Sequence, residues 1–370
     1  MQHNEDDTQL YRSPLLSRAE AVELPEATTT LLDAAGVAWH YGNPLGEQRA
    51  LSTTPVLIDR SHRRVIKVHG PDAPSFLNNL LSQKLDDVAA GFSASALDLD
   101  IHGHILHQAD IYFDGDAYFL DLPSYQAQSF STFLHRMVFW SEVTIEDSDL
   151  GIITILAPAG HETLTDLGAV FTRGPSTWGR VQRTDIALPR KDLPRAAEEF
   201  ITAGGALAGL MAFTAERVWA GEPEPRADLD DKSIPHEVES FINRGEHIGA
   251  VHLNKGCYRG QETVARVENL GRSPRVMVML HLDGSAPIEP TPGSEITVGG
   301  RRAGRVGTVV HDAEYGPIAL AAVKRSALRH TTVTIVGEVE ISASIDSDSV
   351  PAEEGEKAGR RAVEKLRSNN

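Results

Sequence analysis

Apolar and polar positions change period several times along the chain, and each change marks an element. Val65-Ile66-Lys67-Val68 predicts a strand, the turn residues Gly70-Pro71-Asp72 follow, and Phe76, Leu77, Leu80 and Leu81 then share one helical face. Ala96 to Leu106 and Ala109 to Leu122 predict strands joined by turns at Gly103 and Asp114-Gly115. Ser124 is placed as the cap of a helix running to Trp140, with Phe130, Phe133, Leu134, Met137 and Val138 inward. Gly151 to Leu156 reads as another strand. Helices are expected near 160–168, near 194–203 with a stop at Gly204-Gly205, and near 212–219.

From Arg275 the pattern shifts to short β-rich runs: Val276 to Leu282, Glu295 to Val298, Ala303 to His311, Ile318 to Val323 and Thr332 to Ile341. Gly299-Gly300 and other turn signals separate them, which predicts a small β-barrel or sandwich. Residues 1–24 are polar and mixed in charge, and 346–370 are poor in large apolar residues, so each end is expected to be a solvated tail. A short closing helix at Glu364-Lys365-Leu366 would have one leucine to anchor it. Periodicity alone gives an α+β body followed by an all-β unit.

Composition narrows the function classes. The 370 residues, 41% of them hydrophobic, suffice for two or three domains with ordinary cores. A formal net charge of −17 argues against general nucleic-acid binding or an anionic-membrane surface, because such binding relies on clustered Lys and Arg. A small basic pocket remains compatible with it. No apolar run approaches a membrane span, and Glu5-Asp6-Asp7 stands where a signal or transit peptide needs positive charge, so a cytoplasmic protein is expected. Self-contained domains with an acidic surface favour a monomer.

Cys257 is the single cysteine. One thiol excludes an intramolecular disulfide and suits a reducing compartment. It also cannot hold an ordinary iron-sulfur centre alone, since a cluster needs about four thiolates. Cys257 lies within Lys255-Gly256-Cys257-Tyr258-Arg259-Gly260-Gln261-Glu262. Lys255 and Arg259 are each two residues from the thiol and would favour its thiolate if the loop turned them inward. Gly256 and Gly260 permit a sharp turn or close approach to a ligand, while Tyr258, Gln261 and Glu262 add hydrogen-bonding groups. These features suit a loop lining a cleft; a buried structural cysteine in a glycine-rich turn is the bland alternative.

Two weaker signals are set aside. His102, His104 and His107 invite a zinc reading, but on a strand the first two share a face that the third does not, and no further ligand stands at motif spacing. No metal site is assigned. Glycines 204, 205 and 209 lack a phosphate-loop pattern, and helix termination explains them.

The octapeptide resembles the signature of the YgfZ family, folate-binding relatives of the glycine-cleavage T-protein connected with assembly or maintenance of iron-sulfur enzymes. Val68-His69-Gly70-Pro71-Asp72-Ala73 with Phe76-Leu77 is similar to the family's opening strand-turn-helix, and Gly304-Arg305-Val306-Gly307 with Leu320-Ala321 to its C-terminal barrel. The resemblance implies an α+β protein of T-protein type: a ring of two α+β domains and a C-terminal β-barrel around a central cavity. The implied division is 25–60 with 148–272 for a discontinuous first domain carrying the octapeptide, 61–147 for the second, and 273–345 for the barrel.

The same resemblance implies tetrahydrofolate or a derivative as ligand, iron-sulfur client or assembly proteins as partners, and Cys257 as the functional thiol. Arg217, Trp219, Glu237, Gly256 and Gly260 are the expected folate-cleft residues. Arg217-Val218-Trp219-Ala220-Gly221 is similar to the family's Arg-x-Glu-Ala-Gly, with Trp219 in place of the pterin-facing glutamate, and Ile234-Pro235-His236-Glu237 to Ile-Pro-Gln-Glu. An indole can stack on a pterin but cannot accept its N–H hydrogen bonds. Gly103-His104-Ile105-Leu106-His107-Gln108 also lacks the acidic pair that T-proteins carry there. The expectation leans away from an enzyme toward an accessory protein. A folate-dependent aminomethyltransferase or demethylase is the first alternative, and an interaction module with a vestigial cleft the second.

Overall fold

The computed structural model describes residues 11–161 and 166–351. Two five-stranded sheets and a closed six-stranded barrel account for most of the strands, so the architecture is α+β with a barrel, as the sequence predicts. The chain places Val56–Asp59 in the first sheet and then builds the whole second sheet between Arg64 and Ser148. It returns with Leu150–Ala157 paired to the strand it left. The hairpin Phe171–Trp178 with Val181–Pro189 widens this first sheet on one side, and Ala206–Ala208 adds a parallel strand on the other. A parallel neighbour needs a crossover. The helix Leu193–Thr202 provides it, laying Leu193, Ala196, Ala197 and Phe200 on Leu57, Ile153 and Ile155.

The second sheet runs Ser93–Leu99, Ile105–Phe113, Ala117–Leu122, Arg64–His69, Thr144–Ser148, with every neighbouring pair antiparallel. Helices Ala73–Leu80 and Ser124–Met137 pack Phe76, Leu77, Phe130 and Leu134 against Ile66, Val68, Ile111 and Leu120. Leu77 and Leu134 are fully buried, each contributing roughly 1.5–3 kcal/mol by transfer from water. The barrel closes in the order Arg275–Leu282, Gly316–Lys324, Arg301–Asp312, Glu295–Val298, Thr332–Val336, Ile341–Ile345.

Where the three units meet, Leu97 and Ile105 of the second sheet touch the same cluster as Ala215 and Val218 of the Leu210–Trp219 helix. Met277, Met279 and Leu320 of the barrel complete it. These apolar side chains form one cluster where the three units meet, and a cavity that Trp219, Met277, Met279 and Leu320 line opens beside it. The barrel is fixed to the body by a buried carboxylate. Asp228 accepts from Arg217 Nη1 (2.9 Å), Glu224 N (2.7 Å), Thr308 N (2.6 Å) and Thr308 Oγ1 (2.9 Å). A Cβ at Gly307 would stand 2.1 Å from Asp228 Oδ1, which explains the second glycine of Gly-Arg-Val-Gly. Arg305 adds hydrogen bonds to the carbonyls of Ala227 (2.8 Å) and Asp228 (3.0 Å).

Several expected boundaries move. Ser124 is the first residue of its helix, not the cap; Pro123 holds the cap position, and the Ser124 hydroxyl donates to Asp33 Oδ1 at 3.0 Å. That helix stops at Met137, leaving Trp140 almost wholly exposed. The run Thr332 to Ile341 splits into two strands. Residues 11–24 are not a free tail: Leu15 is buried, Tyr11 OH donates to Ser61 Oγ (2.7 Å), and Ala21–Glu23 pairs with Ala38–Tyr41. Residues 346–350 are likewise tied, with Ser349 Oγ accepting from Met279 N at 2.9 Å. The helix near 160–168 falls partly, and the segment at 364–366 wholly, outside the described residues.

Candidate functional site

The octapeptide is clamped at both ends by the second sheet and its first helix. Lys255 is 9% exposed, and its Nζ donates to the carbonyls of Asn78, Leu81 and Gln83, the last at 3.0 Å. These oxygens belong to the end of the Ala73–Leu80 helix and the turn beyond it, where carbonyls lack intrahelical partners and the dipole favours a cation. Burial lowers the Lys255 pKa to about 8, with Asp86 partly opposing. The ammonium also lies 4.7 Å from the centre of the Tyr258 ring, and burial raises the Tyr258 hydroxyl well above its ordinary value.

At the other end, Gly260 has φ +80°, and a Cβ there would lie 2.6 Å from the Asp100 carbonyl and 2.9 Å from Gly103 Cα. Gly103 faces it with φ +82° and leaves room for Thr263. The two glycines let the octapeptide and the 100–104 turn pass back to back. Arg259 donates to buried Asp98 and lies 4.7 Å over the Phe133 ring, while Asp98 also accepts from His107 Nδ1 at 2.8 Å. Gln261 and Glu262 begin the Gln261–Leu270 helix, with the Glu262 carboxylate exposed in its first turn, where the dipole favours it. Gln261 Oε1 accepts from Tyr258 N at 3.4 Å.

Cys257 is exposed. Lys255 and Arg259, expected to turn toward the thiol, spend their hydrogen bonds on backbone carbonyls and on Asp98 instead. The arrangement presents an accessible sulfur on a fixed platform, and the buried-cysteine alternative does not hold.

The expected folate residues do not converge. Arg217 is buried and bound to Glu222 O (2.7 Å), Asp228 and Thr308. Glu237 is locked to Arg275 through Oε1 at 3.0 Å and Oε2 at 2.9 Å. Gly260 belongs to the clamp, and Gly256 has open space around it. Trp219, on another face of its helix from Arg217, lines a cavity of about 460 Å³ with Met277, Met279 and Leu320 of the barrel and Ile242, Arg244 and His247 of the preceding loop. Its indole N–H donates to Asp312 Oδ2 at 2.8 Å, and the Arg180 guanidinium lies 4.4 Å over the ring. Arg180 in turn bonds Glu216 (2.6 Å) and Asp312 (2.8 Å).

A feature that periodicity did not reveal is a buried charge network between the two sheets. Arg173 bridges Asp121 of the second sheet and Asp185 of the first, Arg63 donates to Asp121 (2.7 Å), and Arg183 to Asp185 (2.8 Å). Burial opposes ionisation of Asp185, yet Arg183, Arg173 and Arg60 hold its carboxyl far below the usual range. Beside this network a smaller cavity of about 50 Å³ is lined by Asp33, His62, Gln108, Arg217 and Glu224 among others. Burial, with Asp33 adding, pushes Glu224 up to about 7; it accepts from Tyr125 OH and Ala227 N.

Comparison with known proteins agrees with this architecture. No family model matches the sequence. The chain is 24% identical over 276 residues to the tRNA-modifying protein YgfZ of Yersinia pseudotuberculosis, covering 69% of this chain and 80% of the relative. It is 24% identical over 327 residues to the chloroplastic "Putative transferase" of Arabidopsis thaliana, covering 82% of this chain and 73% of that protein. Among solved structures, aminomethyltransferase T of the glycine cleavage system from Bartonella henselae superposes with a TM-score of 0.72 at 19% identity. That match covers 90% of this chain and 95% of the other. No helix among the described residues is long and apolar enough to cross a membrane.

Proposed function

The chain is a relative of the YgfZ proteins on the T-protein fold, and from that premise we propose that it is a folate-binding accessory protein supporting the assembly or maintenance of iron-sulfur enzymes. The observation that carries this reading is the exposed Cys257, the chain's single thiol, on a loop that Lys255, Arg259 and Gly260 hold in place. A soft, accessible sulfur can form a mixed disulfide or supply one ligand to a metal shared with a client protein.

The cavity beside Trp219 supports the folate part in size and lining, since about 460 Å³ falls within the range of small-molecule pockets. Met277, Met279, Leu320 and Trp219 would give a flat ring apolar walls. An indole offers no acceptor and the Trp219 N–H is already donated to Asp312, so acceptors for a pterin would come from Glu239, which lines the same cavity. The tRNA-modifying role in the Yersinia name fits an indirect action, because a net charge of −17 disfavours direct contact with an RNA backbone.

Aminomethyl transfer is the second reading, favoured by the fold. Against it, the stretch 103–108 offers no carboxylate, and His107 is bound between Asp98 and Ser129. The test is a Cys257→Ser variant in a deletion strain: folding is retained while support of iron-sulfur enzyme activity is lost. Full rescue by the variant would overturn the assigned mechanism. Saturable quenching of tryptophan fluorescence by tetrahydrofolate tests the ligand separately.

A further inference from the structure

The outer strand of a sheet presents a row of unpaired N–H and C=O groups that invites pairing with another chain. In the two five-stranded sheets, three of the four outer strands are blunted. Phe171–Trp178 carries Pro175 and a register break between Arg173 and Ser176, and Ala206–Ala208 is only 3 residues long. Ser93–Leu99 is met by Ser82, whose N–H donates to Leu97 O (2.9 Å) and whose Oγ accepts from Leu97 N (2.9 Å). The fourth is Thr144–Ser148. It pairs in unbroken register with Arg64–His69, and it has no neighbouring strand on its outer side among the described residues. This edge lies across the sheet from Leu99, the residue that Gly260 meets, so it is separate from the octapeptide.

The residues leading into this strand are not built for solvent. Phe139 is 75% and Trp140 97% exposed. Phe139 has φ +41°, and it is the one non-glycine residue with a positive φ among the described residues. It stands just past the cap of the Ser124–Met137 helix, where a glycine would reverse the chain without strain. An aromatic side chain held on a strained backbone and left in water adds little burial to the fold, and it marks a contact surface. The charge of that surface has one sign. Residues 139–149 hold Glu142, Glu146, Asp147 and Asp149 and no Lys, Arg or His. His69 meets Glu146 (2.8 Å), Arg64 meets Asp147 (3.2 Å) and Arg190 meets Asp149 (3.7 Å), but these carboxylates are 51%, 63% and 84% exposed, and such pairs exchange at little cost. Aromatic faces and carboxylates both attract cations. A second copy of the chain, at net charge −17, would bring acid against acid.

We propose that residues 139–149 dock an extended, Lys- or Arg-bearing segment of another protein, which adds as a strand beside Thr144–Ser148 and sets its cations on Phe139 and Trp140 and against the carboxylates. The main chain of the added strand supplies hydrogen bonds, and its alternate side chains reach the acidic row. The probe is the acetylated and amidated peptide Lys-Thr-Lys-Val-Lys-Thr-Lys, labelled with fluorescein and titrated with the full chain at about 0.15 M salt, where long-range attraction is screened. It binds saturably and slows amide hydrogen exchange at 144–148. The same peptide with Pro for Val keeps the charge and loses a ladder donor; it binds at least about tenfold more weakly, as does the peptide with Glu for every Lys. Trp140→Ala, an exposed substitution checked for an unchanged urea midpoint, weakens binding about tenfold or more, and Glu146→Gln weakens it about threefold. Equal binding of the valine and proline peptides overturns the proposal, as does undiminished binding by the folded Trp140→Ala variant or exchange protection confined to other segments. Absence of binding overturns it too. If Trp140→Ala then abolishes a concentration-dependent dimer, a second copy covers this edge, and if it abolishes binding to phosphatidylcholine vesicles, a membrane does.

Discussion

Replacing Lys255 by Met separates the clamping role of this side chain from an activating role toward the thiol. Methionine keeps most of the buried stem and removes the ammonium, leaving the carbonyls of Asn78, Leu81 and Gln83 without their donor. Each orphaned acceptor costs roughly 1–3 kcal/mol. Against this stands relief of a desolvated charge: a pKa lowered from 10.5 to about 8 corresponds to about 3 kcal/mol of disfavoured ionisation. The expected net loss is about 2–4 kcal/mol, read from the urea midpoint at pH 7. The pH dependence has a definite sign. Between pH 8 and 10.5 the unfolded chain binds this proton more often than the folded chain, so its contribution to stability rises with pH. The gap between the wild type and Lys255→Met therefore widens by about 2 kcal/mol from pH 7 to pH 9.5. Alkylation of Cys257 in the folded variant at pH 7 proceeds within about twofold of the wild-type rate, because the cation is spent on carbonyls. A variant as stable as the wild type, or one folded but alkylated tenfold more slowly, refutes this account.

Three further substitutions follow from the same contacts. Gly260→Ala forces a Cβ into the Asp100 carbonyl at φ +80° and should cost about 2 kcal/mol or more, whereas Gly256→Ala, with nothing near its Cβ, should be close to neutral in chemical denaturation. Asp228→Asn removes the charge that pairs with buried Arg217 and should cost about 3–5 kcal/mol, seen as a lowered urea midpoint. Trp219→Glu places a carboxylate beside Asp312 and Glu216 and loses the indole hydrogen bond. It should lower the thermal midpoint without improving folate binding, and a stable variant that binds folate more tightly would contradict the contact described.

The two helices on the second sheet were legible because their apolar residues keep a helical period: Phe76, Leu77, Phe130 and Leu134 all face the sheet, as the pattern requires. The hairpin Phe171–Trp178 with Val181–Pro189 was not. Arg173, Arg183 and Asp185 are buried there, and a strand whose interior face carries charges looks like a solvated loop until its partners are known. The same holds at the N-terminus, where Ser13 bonds Asp59 and polar residues do the anchoring. At the candidate site, the octapeptide's importance was visible in its residues, but the direction of its cations was not. Spacing placed Lys255 and Arg259 near Cys257 along the chain, and only the approach of Asn78, Asp98 and Gly103 from elsewhere decided where they pointed.

The back-to-back passage of Gly260 and Gly103 has a bearing on how the thiol would meet a partner of the kind proposed. The octapeptide is stitched to a turn from the other sheet at one end and to a helix terminus at the other, so the sulfur is displayed the way a tooth is displayed by a gear: its position is set by the wheel. Any molecule that engages Cys257 has to bring its own adaptability to the encounter. Selectivity would then reside in the relief of the surface around the sulfur rather than in rearrangement of the loop that carries it.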